Sequence, residues 1–108
     1  QAMRELAPAL SLPCAILCGN DMIGCGAIDV LKYEYKLEIG RDVALIGFDN
    51  IFMGSLPPYS LSTFTQPITE MAQDGLSLLF ANIEDHKMAP VTHRYPLSLI
   101  ERESTKKK

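Results

Sequence analysis

The chain has 108 residues, 47% hydrophobic and 21% charged, with a formal net charge of −3. That length suits one domain or part of a larger one, and the low charged share points to more buried interface than a free-standing domain needs. The acidic balance argues against nucleic acid as this segment's own partner, and no apolar run approaches the roughly 20 residues that span a bilayer.

The chain opens Gln1-Ala2-Met3-Arg4, compatible with a piece of a longer protein. Residues 1–7 read as the tail of a short helix stopped before Pro8, and Pro8 and Pro13 bracket a loop. Cys14-Ala15-Ile16-Leu17-Cys18 is a continuous apolar run, which suits a strand buried on both faces of a parallel sheet. Gly19-Asn20-Asp21 breaks it, and Asp21 is the expected N-cap of the next helix. Ile23, Ala27, Val30 and Leu31 recur at helical spacing and predict a helix over 22–36. A second apolar strand, 43–48, then runs into Asp49-Asn50. Strand, helix, strand is the pattern of a parallel βαβ unit with a right-handed crossover.

Residues 61–66 predict a third strand, less buried than the first two because of its Ser and Thr content. Pro67 takes a first-turn position, where its lack of an N–H does no harm. The helix it opens carries Ile68, Met71, Ala72, Leu76, Leu79 and Ile83 on one face, a stripe that must pack on something. A polar loop over 85–90 leads to one or two strands within 91–102, interrupted at Pro96. Residues 104–108, ending in three lysines, read as a solvated, flexible tail.

The two apolar strands end alike, each with a glycine and an amide–carboxylate pair: Gly19-Asn20-Asp21 and Gly47-Phe48-Asp49-Asn50. Ligands of open parallel sheets bind outside the carboxyl ends of the strands. An amide donates and accepts and a carboxylate accepts twice, so Asn20 and Asp49 together suit a small ligand rich in hydroxyls or N–H groups. Gln66 adds another amide if the third strand reaches the same cleft. Asn20 as a turn residue remains open, as does Asp49 as a buried cap or ion-pair partner.

Sharper motifs fail. Gly19 to Gly24 has phosphate-loop spacing, but Cys25-Gly26 stands where Lys-Ser/Thr is required. Cys14, Cys18 and Cys25 lack paired metal-site spacing, and His86 and His93 lie far off. No catalytic residue, metal or cofactor is expected, and an odd number of cysteines suits a reducing cytoplasm.

Four blocks in order resemble the effector-binding region of the lactose/galactose-repressor (LacI/GalR) family of bacterial regulators. They are residues 15–22, 43–50, 61–67 with Glu70-Met71, and 99–105. The resemblance implies an α/β periplasmic-binding-protein-like (type I) fold, a parallel sheet flanked by helices, of which this chain would be an incomplete piece. It implies residues 1–60 in the C-terminal lobe, 61–66 as interlobe crossover, 67–84 as a helix of the N-terminal lobe, and 85–103 as C-terminal strands. Asn20, Asp49 and Gln66 match effector-contacting positions. Gly24, Cys25 and Ile28, with Met53, Ser55 and Leu56, match the homodimer face, where close approach of a partner would justify Gly24 and Gly26. The implied partners are a sugar or nucleobase-like effector, a second copy, and operator DNA reached only through an N-terminal helix-turn-helix outside this chain. Tyr59-Ser60, Thr65 and Gly75 depart from common family residues and put the local loop path and helix stability in question. The competing reading is a periplasmic sugar-binding protein of a transport system, which shares the fold; an α/β enzyme domain ranks last.

Overall fold

The computed structural model describes residues 1–107, so Lys108 of the expected tail lies outside the described residues. The chain divides into two units, Gln1–Thr65 joined by the residues from Leu99 onward, and Gln66–Ser98.

In the first unit a short helix α1 (Ala2–Leu6) precedes strand β1 (Cys14–Leu17) and helix α2 (Asp21–Asp29), which continues as a π-helical turn over Val30–Glu34. Strand β2 (Val43–Phe48), helix α3 (Phe52–Ser55) and strand β3 (Ser62–Thr65) follow. The sheet order is β1-β2-β3-β4, β4 being Ser98–Ile100, and both the β1–β2 and β2–β3 pairs are parallel. The strand–helix–strand expectation holds.

The core lies between α2 and β2. Cys25, Ile28 and Leu31 on the helix meet Val43 and Leu45 on the strand, with Leu61 closing one end. Leu31, Val43, Leu45 and Leu61 are fully buried, each contributing about 1.5–3 kcal/mol by transfer from water. The π turn carries Tyr35 N–H to Val30 O at 3.2 Å, a five-residue step that ends the helix.

Several expectations are corrected here. β1 is an edge strand, and only Cys14 and Ile16 are half-buried while Leu17 is 75% exposed. An unbroken apolar run cannot by itself distinguish a central strand from an edge one. β3, expected to be the least buried, has Ser62 and Thr63 fully buried. Hydroxyls tolerate this because each is paired: Ser62 Oγ donates to Arg102 O at 3.1 Å and accepts from Arg102 N–H at 2.7 Å. Ser62 N–H donates to Ser104 Oγ at 2.7 Å, and Ser104 Oγ donates to Leu45 O at 2.6 Å. The same bonds correct the flexible-tail expectation at residues 104 and 105. Ser104 is 1% exposed within a 3₁₀ turn, Glu103–Thr105, and Thr105 Oγ1 lies 2.6 Å from Ser62 Oγ.

In the second unit α4 (Ile68–Glu84) buries no residue, and Ile68, Leu79, Phe80 and Ile83 are each more than half exposed. The stripe read from sequence is therefore an uncovered apolar face. Residues 91–97 form no strand, so of the one or two expected in this region only β4 appears. Pro96 accounts for the break, because it supplies no ladder N–H. Tyr95 instead donates its hydroxyl to Asp74 Oδ2 at 2.6 Å.

Candidate functional site

The parallel register sets Leu17 beside Ile46, and Asn20 and Asp49 each follow three residues beyond that pair. Cys18 N–H to Ile46 O at 2.9 Å carries the β1–β2 ladder one step further. Asp49 N–H to Phe64 O at 2.9 Å does the same for β2–β3. The two positions therefore lie on one sheet edge, at the carboxyl ends of adjacent strands. Gln66 opens the second unit.

The local roles differ from those expected. Asn20, not Asp21, is the N-cap: its Oδ1 accepts from Ile23 N–H at 2.9 Å. Capping occupies the amide oxygen and leaves the NH₂ group as its donor. Asp21 is instead the first residue of α2 and is fully buried. Its Oδ1 accepts from Thr63 Oγ1–H at 2.6 Å and its Oδ2 from Ile51 N–H at 2.9 Å. Both residues are good caps in isolation; the interior chooses between them, because a donor and an empty cradle await a carboxylate there. A Cβ on Gly47 would collide with Asp21 Oδ1, and one on Gly54 would stand 3.4 Å from Oδ2. Helix N-terminal amides also favour a carboxylate at this place.

Asp49 is exposed rather than buried. It and Asn50 follow β2 with φ of 106° and 56°, in the left-handed region disfavoured for side chains. Asn50 N–H donates to Thr63 Oγ1 at 3.3 Å, and Asn50 Oδ1 accepts from Arg102 Nη2 at 2.8 Å. Arg102 Nη1 donates to Leu61 O at 2.7 Å. Thr63, Arg102 and the inward Asp21 were all missed as contributors to this edge. The paired glycines, Gly47 and Gly54, were the available signal for a buried polar group at Asp21. The Arg102 link, 52 residues from its partner, leaves no local trace.

The residues matched to the homodimer face differ in burial. Cys25 and Ile28 are 2% and 1% exposed, and Gly24 is buried against Leu61, whose Cδ2 would stand 2.7 Å from an added Cβ. These three residues face the chain's own core, and it is Leu61 that requires glycine at 24. Gly26 faces open space. Met53 and Ser55 on α3 are exposed and Leu56 is half-buried. A cavity of about 930 Å³ lies over α1, the end of β1 and α2, walled by Leu17, Cys18, Gly19, Ile23 and Gly26 but not by Asn20 or Asp49. Burial first, then the nearby Asp21 carboxylate, pushes the Cys18 and Cys25 thiols up.

Residues 1–105 match the family model of the periplasmic binding protein-like domain, and the chain belongs to that family. A transcriptional regulator, RegA of Clostridium acetobutylicum, is 36% identical over 85% of the chain and 27% of its own length. The CytR repressor of Escherichia coli strain K12 is 28% identical over 98% of the chain and 31% of its own length. Among solved structures, the CelR–cellobiose complex superposes with a TM-score of 0.81 at 30% identity, covering 95% of this chain and 31% of that one. The Lac repressor bound to ONPG gives 0.80 at 25% identity, over 97% of this chain and 31% of that one. Within the wider family, the chain is similar to LacI-type transcriptional regulators. The chain spans about 30% of the length of these relatives.

Proposed function

We propose that this chain is the effector-sensing part of a cytoplasmic LacI-type transcriptional repressor, with operator DNA engaged by a helix-turn-helix elsewhere in the protein. The observation that carries this is the edge itself, an amide and a carboxylate at equivalent steps past the ends of two adjacent parallel strands. Asn20 donates and Asp49 accepts, a pairing suited to vicinal hydroxyls. Gln66 is proposed as a third polar contact, and residues 67–84 as a helix of the other lobe. A sugar is favoured because relatives have been solved with cellobiose and with ribose. A neutral sugar is favoured over its phosphate because Asp49, an acidic side chain, is the exposed member of its strand-end pair.

Calorimetry of the intact protein with cellobiose, ribose, ribose 5-phosphate and adenosine tests this. One neutral ligand is expected to bind, and Asp49→Ala and Asn20→Ala are each expected to weaken it at least tenfold. Undiminished binding in Asp49→Ala, or preference for the phosphate, refutes the reading.

Homodimerisation is proposed through α3, with Met53, Ser55 and Leu56, beside the outward face of α2, where Met22 and Ile23 are more than half exposed. Met53→Glu is expected to shift the protein toward monomer in sedimentation; an unchanged dimer places the interface elsewhere.

A further inference from the structure

Two consecutive non-glycine residues at positive φ, Asp49 and Asn50, persist only where their surroundings over-determine them. Here four bonds do so. Asp49 N–H reaches Phe64 O at 2.9 Å, Asn50 N–H reaches Thr63 Oγ1 at 3.3 Å, and Ile51 N–H reaches Asp21 Oδ2 at 2.9 Å. The fourth is made by a side chain of the loop, Asn50 Oδ1 accepting from Arg102 Nη2 at 2.8 Å. Asp21 is fully buried and Arg102 is half-buried, whereas Asp49 is exposed.

We propose that Asp21 and Arg102 are positioning residues for the strand-end site, clamping the Asp49–Asn50 backbone from two sides so that Asp49 is presented in one conformation. The two grips differ in chemistry. Asp21 holds the loop's exit, at Ile51, and ties it to α2 and, through Thr63, to β3. Arg102 is a rigid planar fork whose two nitrogens bridge Leu61 O and Asn50 Oδ1. It follows directly on β4 and Glu101. The inference rests on the proposed ligand role of Asp49.

The test uses the intact protein and Arg102→Gln, Arg102→Lys, Asp21→Asn and Asp49→Ala. Amide hydrogen exchange is followed at Asn50 and Ile51, with Leu45 as the internal reference. Affinity for cellobiose and ribose is measured at a temperature where each variant is folded by circular dichroism. Arg102→Gln is expected to speed exchange at Asn50 and Ile51 at least tenfold while Leu45 stays protected, and to weaken sugar binding at least tenfold. Arg102→Lys, with one compact donor group, recovers part of both. Asp21→Asn does the same as Arg102→Gln if it folds; the Arg102 variants decide if it does not. Exchange at the loop unchanged in Arg102→Gln overturns the proposal whether or not a sugar binds. Asp49→Ala abolishing binding while Arg102→Gln binds within twofold of the parent overturns the positioning role alone. Asp49→Ala binding like the parent removes the ligand reading and this proposal with it.

Discussion

Thr63→Val tests the bond that holds Asp21 inward. The hydroxyl and the methyl are close in shape, so no cavity of consequence forms, and the change removes one donor from a fully buried carboxylate. A hydrogen bond to a charged group contributes about 1.5–3 kcal/mol net, and an orphaned charged acceptor costs more than a neutral one. Thr63 Oγ1 also accepts from Asn50 N–H at 3.3 Å, a longer and weaker bond that is lost as well. The expected destabilisation is about 2–4 kcal/mol. With a urea slope of about 2 kcal/mol/M, the midpoint moves down by about 1–2 M. Thr69→Val, the same chemical change on the exposed first turn of α4, is expected within about 0.5 kcal/mol of the parent. Urea titrations followed by circular dichroism compare the two. If Thr63→Val costs no more than Thr69→Val, Asp21 does not depend on Thr63 and the account of the edge fails.

Gly24→Ala forces its Cβ against Leu61 and is expected to cost about 1–3 kcal/mol by overpacking. Gly26→Ala meets nothing and is expected to stabilise by up to about 1 kcal/mol; melting temperatures moving in opposite directions check the pair. Iodoacetamide near pH 8 is expected to modify half-buried Cys14 well before Cys18 and Cys25, whose thiols are raised by burial; mass spectrometry of partly labelled protein reads the order. Tyr95, hydrogen-bonded to Asp74, has its pKa pushed up to about 12, above the ordinary value of about 10. Its bond to Asp74 therefore contributes stability below about pH 10 that is lost as pH climbs through about 12. Ultraviolet titration is expected to show a late-ionising tyrosine that reverts in Asp74→Ala; an unchanged titration in that variant refutes the assignment.

The strand–helix–strand core was legible because its signals are local. Val43, Leu45 and Gly47 alternate with half-buried neighbours, and α2 repeats its apolar residues at helical spacing. The apolar stripe of α4 was legible for the same reason. What escaped depends on partners about forty residues away. Ser62 and Thr63 look like a weak edge strand until Ser104, Arg102 and Asp21 satisfy them, at separations of 40 to 42 residues. Gly24 looks like a site of intermolecular approach until Leu61 is seen against it. The placement of Asn20 and Asp49 on one edge was readable from the echo of their loops. Which member of each pair turns inward was not, since local pattern ranks Asn and Asp equally as caps.

That choice has a consequence for the edge. Each strand-end pair has one residue turned inward and one at the rim, and the two pairs do so in opposite senses. In the first loop the carboxylate, Asp21, goes inward to Thr63 and Ile51 while the amide, Asn20, remains at the rim. In the second the amide, Asn50, is tied to Arg102 while the carboxylate, Asp49, stays exposed. Two amides at the rim would offer no full charge, and two carboxylates would repel each other and demand a cation. One of each places a donor and an acceptor on neighbouring strands, the combination on which the proposed binding of a neutral polyhydroxylated ligand rests. The inward partners follow the same logic, because buried Asp21 meets a hydroxyl and a backbone amide. Arg102 is half-buried and donates to a carbonyl and a side-chain amide oxygen.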